Sequence, residues 1–143
     1  MSPEMRKIDL VDICCRLDAT DIGSPDLVLG IAEGGLVPAS LAAYKAKAPL
    51  RIIKISFRGE KNDPKFNEPV VLNNPEIPAG IKSVLVVDDV SVTGKTLEAA
   101  GKVLAGLRVR TMVFKGNADI VLFPEIKECV EWPWKIYAPP ITP

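Results

Sequence analysis

The chain has 143 residues, is 48% hydrophobic and 25% charged, and carries 18 basic against 18 acidic side chains, so its formal net charge is zero. This length suits one domain with a proper core, and a neutral chain has no global field with which to recruit nucleic acid or membrane. There is no histidine, which excludes histidine-based zinc sites, Ser-His-Asp triads and Cys-His pairs and leaves acid–base work to Asp, Glu, Lys, Tyr or the substrate.

No apolar run approaches the ~18–20 residues of a membrane span. The first residues, Met-Ser-Pro-Glu-Met-Arg-Lys, lack the apolar core of a signal peptide, so a cytoplasmic location is expected. Cys14, Cys15 and Cys129 are an odd set and form no disulfide framework. Cys14 and Cys15 are expected to pack as small apolar residues on a helix.

Residues 8–19 read as that helix, with Ile8, Val11, Cys15 and Cys14 on its inner face. Residues 26–32 read as a buried strand, closed by the tight turn Glu33-Gly34-Gly35. Residues 36–47 read as a helix that tolerates Pro38 in its first turn. A second strand follows at 50–56, with Ile53 and Ile55 on one face and Ile52 on the other. Residues 57–68 are polar and charged, and 70–72 read as a return strand. The third core strand is 84–87. Residues 96–107 form a helix with Leu97, Ala100, Leu104 and Leu107 as its buried stripe. Further strands are expected at 109–114 and 120–123, and the tail 124–143 holds both tryptophans and caps the body. This alternation predicts an α/β fold with a mostly parallel central sheet flanked by helices, and no second domain.

Ligands of such sheets bind at the carboxyl ends of strands. The informative end is at residues 84–96, Val-Leu-Val-Val-Asp-Asp-Val-Ser-Val-Thr-Gly-Lys-Thr. An apolar strand delivers Asp88 and Asp89, and a turn of Ser91, Thr93, Gly94 and Thr96 opens the next helix. Such a turn offers N–H groups, hydroxyls and a helix N-terminus to an anion. Carboxylates beside an anion cradle suit a sugar phosphate. The Gly-Lys-Thr triplet is no P-loop, because position 89 is Asp where that motif needs glycine. An Asp-Asp pair after a strand is also an ordinary capping or turn feature.

The 84–96 stretch resembles the phosphoribosyl-pyrophosphate signature of the type I phosphoribosyltransferases. Gly-Ile-Ala-Glu-Gly-Gly-Leu-Val-Pro-Ala at 30–39 is similar to the pyrophosphate loop of the purine branch. Lys115 and Cys-Val-Glu-Trp-Pro-Trp at 129–134 resemble the base-binding hood of xanthine/guanine/hypoxanthine enzymes. The resemblance covers most of residues 1–143 and implies one domain with a lid at 57–68 and a hood at 115–137. It implies transfer of a phosphoribosyl group from phosphoribosyl pyrophosphate to a purine base, of the 6-oxo class, with Mg²⁺ and release of pyrophosphate. Asp88 and Asp89 would hold the ribose hydroxyls and place Mg²⁺ through water. Ser91, Val92, Thr93, Gly94, Lys95 and Thr96 would hold the 5-phosphate. Ala32, Glu33, Gly34, Gly35 and Arg58 would bind pyrophosphate, with the Ala32–Glu33 bond often cis in relatives. Lys115, Cys129 and Val130 would bind the base. A homodimer or homotetramer is implied, with no nucleic acid or membrane partner.

The chain departs from the pattern around the base and the leaving group. Val92 stands where relatives have an Asp that contacts the purine, Glu33 where they have Arg or Lys, Cys129 where they have an aromatic stacker, and Lys135 where 2-amino-selecting relatives are often acidic. Three readings stay open. One is a purine enzyme of changed preference, another a nucleotide-sensing protein weak or inactive in transfer, and the third a transferase for a non-purine base.

Overall fold

The computed structural model describes residues 5–56 and 68–135. The elements are β1 (Met5–Lys7), α1 (Leu10–Asp18), β2 (Leu27–Ala32), α2 (Leu36–Ala46), β3 (Leu50–Ser56), β4 (Val70–Val71), β5 (Ser83–Ser91), α3 (Lys95–Val103), β6 (Arg108–Gly116), β7 (Ile120–Val121) and β8 (Cys129–Glu131). Six strands form one sheet in the order β4-β3-β2-β5-β6-β7. All neighbours are parallel except β4, which returns antiparallel on β3.

The core strands are runs of Val, Leu and Ile, as a sheet covered on both faces requires. Strand alternation divides them between two cores. Val28, Leu85, Val87, Met112 and Phe114 face α1 and α2, meeting Ile13, Leu17, Ala39, Ala42 and Ala43. Leu27, Leu29, Ile31, Ile53, Val84, Val86 and Val113 face α3, meeting Leu97, Ala100 and Leu104. Leu107 packs on the second core from beyond the helix end.

Helix α1 turns differently from expectation. Ile13 and Leu17, an i,i+4 pair, are buried, whereas Val11 is 71% exposed and Cys14 and Cys15 are exposed. Ile8 is buried, but just outside the helix. The end of α1 is fastened by Lys45 of α2, whose Nζ donates to the carbonyls of Leu17, Asp18 and Thr20.

The N-terminal residues form a strand that sequence patterning leaves unassigned. β1 pairs in parallel with β8, Arg6 opposite Val130, in a separate two-stranded sheet. The hood core is aromatic. Trp132 and Trp134 stack with centroids 5.4 Å apart, and Phe114 meets both edge-on at 5.8 and 6.1 Å.

Candidate functional site

Strand β5 runs past Val87 to Ser91, longer than its apolar residues suggest. The reason is one-sided pairing. β2 accompanies β5 only as far as Val87, opposite Gly30. β6 continues, with Val113 opposite Asp88, Lys115 opposite Val90 and Gly116 opposite Ser91. The flank β2 vacates is taken by the 32–35 turn. The carboxylates are therefore strand residues, held by β6 beyond the point where β2 ends.

Two glycines let the turn reach them. A Cβ on Gly34 would lie 2.6 and 2.7 Å from the Asp89 carboxylate oxygens. A Cβ on Gly35 would lie 2.6 Å from the Val87 carbonyl and 3.1 Å from the Asp88 Cα. Only a bare backbone fits there. The Ala32–Glu33 bond is cis, and the Gly35 N–H donates to the Ile31 carbonyl at 2.7 Å. Ala32 is half-buried, and Glu33 is exposed to solvent.

Asp88 and Asp89 are each only 9% exposed. Asp88 Oδ1 accepts the Asp89 N–H at 2.8 Å, and Asp89 Oδ1 accepts the Val90 N–H at 2.7 Å. Burial pushes the Asp88 carboxyl well above the ordinary range, and the charge of Asp89 pushes it the same way. Adjacent desolvated carboxylates invite a proton, hydroxyl donors or a cation.

Beyond them the chain turns into α3. Ser91 is buried, Val92 is 76% exposed, and Gly94 adopts φ +80° as the residue preceding the helix. Thr93 and Lys95 are exposed, and Thr96 is half-buried. The Lys95 N–H donates to Thr93 Oγ1 at 3.3 Å. Gly94 and Gly35, the residues that precede α3 and α2, have no side chain with which to cap them. Two helix N-termini thus open close to the carboxylates, a setting that favours an anion.

Two contacts at this site have no local sequence signal. Lys135 Nζ lies 3.8 Å from Asp89 Oδ2. Asn117 holds the turn, donating from its backbone N–H to the Ser91 carbonyl at 2.9 Å and from Nδ2 to the Val92 carbonyl at 3.2 Å. A Lys-Gly-Asn run at a strand end hints at Asn117 only once β6 is known to pair there. In the expected base subsite, Lys115 is half-buried at the end of β6 and Cys129 is exposed on β8. The Val130 side chain is in the core, and its backbone lies in the β1–β8 pairing opposite Arg6. Arg58 and all but the last residue of the 57–68 segment lie outside the described residues.

Magnesium fits this donor set in one particular way. No group of three or more His, Cys, Asp or Glu side chains converges among the described residues. Asp88 and Asp89 supply hard carboxylate oxygens, and Mg²⁺ is typically held by one or two carboxylates with substrate phosphate and water.

A mostly parallel sheet whose central strand presents paired carboxylates between a glycine turn and the start of a helix defines an α/β protein with a candidate ligand site at the carboxyl ends of its strands. The chain belongs to the phosphoribosyl transferase domain family, whose model matches residues 9–135. No curated protein matches it. Among solved structures, a purine phosphoribosyltransferase of Pyrococcus horikoshii aligns with TM-score 0.75 and 23% identity, over 97% of this chain and 99% of that one. A xanthine-guanine-hypoxanthine phosphoribosyltransferase of Helicobacter pylori aligns with TM-score 0.77 and 18% identity, over 93% and 95%. A Neisseria gonorrhoeae protein with bound ppGpp aligns with TM-score 0.70 and 20% identity, over 95% and 93%. No helix among the described residues is long and apolar enough to cross a membrane.

Proposed function

We propose that this protein transfers the phosphoribosyl group of phosphoribosyl pyrophosphate to a purine base. The observation that carries this reading is the buried Asp88–Asp89 pair, with Gly34 against Asp89 and the turn into α3 following directly in the chain. A base nitrogen forms a bond to C1 of the ribose as the C1–oxygen bond breaks and pyrophosphate leaves. Asp88 and Asp89 accept hydrogen bonds from the ribose hydroxyls and stabilise the positive charge that develops at the sugar. Backbone N–H groups of 93–96 and the Thr93 and Thr96 hydroxyls hold the 5-phosphate. The 32–35 turn and the start of α2 hold pyrophosphate. Lys115 donates to a 6-oxo group of the base.

Asp88 and Asp89 are the residues to hold Mg²⁺, which when bound supplies positive charge to the pyrophosphate oxygens. Exposure of Glu33 is compatible with the pyrophosphate reading, since its carboxylate can lie in solvent. We also propose a homodimer or homotetramer, supported by the apolar exposure of Val70, Val71 and Leu72 at the sheet edge. A clean monomer in light scattering refutes that assembly.

A second reading, a nucleotide sensor weak or inactive in transfer, is favoured by Val92, which carries no carboxylate, and by the likeness to the ppGpp-bound protein. One experiment separates the two. Protein, Mg²⁺ and phosphoribosyl pyrophosphate are mixed with a panel of purine and non-purine bases, and pyrophosphate and nucleotide are measured. Transfer to a purine supports the enzyme. Nucleotide binding without product from any base supports the sensor, and product from a non-purine base alone corrects the substrate class.

A further inference from the structure

The opposite end of the sheet carries a cleft that phosphoribosyl transfer leaves unused. It measures about 330 Å³ and lies between the 22–25 loop and the starts of β5 and β6. Its floor is apolar, with Ile22 and Leu85 buried. Its rim carries Arg108 and Arg110, the first and third residues of β6. Side chains two apart on a strand project from the same face, about 6.6 Å apart along it. In register, Arg108 stands opposite Ser83 and Arg110 opposite Leu85.

Neither guanidinium forms an ion pair among the described residues. Asp26 is within electrostatic reach of Arg108, but its Oδ2 is engaged elsewhere. It accepts the N–H groups of Lys82 at 2.9 Å and Ser83 at 3.1 Å. Asp21 accepts the Gly23 N–H at 2.9 Å. Gly23, at φ +72°, brings bare backbone against Arg110. A Cβ there would lie 3.1 Å from Nη1.

We propose that this cleft is a binding site for a phosphate monoester with an apolar or aromatic body. Two guanidinium forks on one face match the several oxygens of a phosphate, which a carboxylate lacks. The apolar floor takes the organic part. The site is distinct from the phosphoribosyl cradle, since the two lie at opposite ends of β5.

The test is titration of the full chain with phenyl phosphate, followed by backbone amide NMR. The amides of Gly23, Ser24, Ser83 and Leu85 are expected to shift saturably, as a set separate from any shifts at 93–96. Arg108→Gln and Arg110→Gln each weaken the cleft set about tenfold and leave the 93–96 set unmoved. Both side chains are exposed, and the spectrum of each free variant verifies its fold. Inorganic phosphate reproduces the cleft shifts only at several-fold higher concentration. Shifts confined to 93–96, or an unchanged cleft midpoint when both arginines are replaced, overturn the proposal. Equal midpoints for phenyl phosphate and inorganic phosphate overturn the organic part of it. Neither outcome depends on whether the protein transfers a phosphoribosyl group.

Discussion

Lys135 Nζ stands 3.8 Å from Asp89 Oδ2, so the hood sets an ammonium on the carboxylate that faces the 32–35 turn. The Lys135 side chain is 46% exposed and that of Asp89 13%, which makes this a rim contact screened on one side by water. A divalent ion recruited to Asp89 meets that ammonium as a like charge. Pairs this exposed contribute at most about 1 kcal/mol. Lys135→Met should therefore tighten Mn²⁺ binding by about two- to fivefold, read by calorimetric titration without substrate. Unchanged or weaker binding means that Lys135 does not compete for the carboxylate.

The Asp88 carboxyl is pushed up to about 8, first by burial and then by the charge of Asp89. Its ordinary value is 3.8. The folded state therefore holds the Asp88 proton more tightly than the unfolded state does. The resulting stabilisation is complete below an ordinary carboxyl pKa of about 4. It is lost as the pH climbs to the folded-state value, and little changes above it. Asn carries no such titration. The melting temperature of Asp88→Asn, relative to the parent protein, should rise steadily across that window and then level off. A difference that ignores pH contradicts the desolvation of Asp88.

Gly34 leaves no room for a side chain beside the Asp89 carboxylate. A Cβ placed there meets both Asp89 oxygens within 2.7 Å. Gly34→Ala must move the carboxylate or the turn. Misplacing a positioning group by about 1 Å costs on the order of 10²-fold in rate, and kcat/KM for phosphoribosyl pyrophosphate should fall by that order. The melting temperature should change little, since the turn is half-buried. Retained kcat/KM means that Asp89 can shift without consequence.

Much of this architecture was legible because its signals are local. Runs such as Val-Leu-Val-Val before Asp88 can hardly be anything but covered strand, and Leu97, Ala100 and Leu104 recur at helical spacing. The face of α1 was ambiguous for a physical reason. Val11 with Cys15 and Ile13 with Leu17 are both i,i+4 apolar pairs, and only packing against α2 selects the second. β1 and β8 are three-residue strands whose partners are far apart in the chain. Neither has enough alternation to declare itself. The Asp88–Asp89 pair was visible from residue type, but the approach of Lys135 depends on how the hood folds back.

Gly116 bears on the same cradle from β6. It adopts φ +113°, and a Cβ there would sit 1.9 Å from the Ser91 carbonyl oxygen. Gly116→Ala combines backbone strain with a clash against strand backbone. It should destabilise the fold by on the order of 2–4 kcal/mol, measured by denaturant unfolding. It should also loosen the Ser91–Asn117 contact that supports the 91–94 turn. Stability equal to the parent means that β5 and β6 can part here.

Val92 projects from that turn with 76% of its surface exposed, while its carbonyl accepts from Asn117 Nδ2. An apolar side chain so exposed contributes little to the core, so its replacement tests chemistry rather than folding. Valine can neither accept a proton nor bond a ring nitrogen. A carboxylate at this position would do both if the side chain faces the base. General acid–base groups contribute roughly 10²–10⁴-fold, and part of that range is recoverable when the rest of the cradle is intact. Val92→Asp should raise kcat/KM for 6-oxopurines by at least about tenfold, with the melting temperature unchanged. An unchanged or lower rate, in a variant that still binds phosphoribosyl pyrophosphate, places position 92 away from the base and moves the search for the proton-transfer group to Lys115 or to the substrate itself.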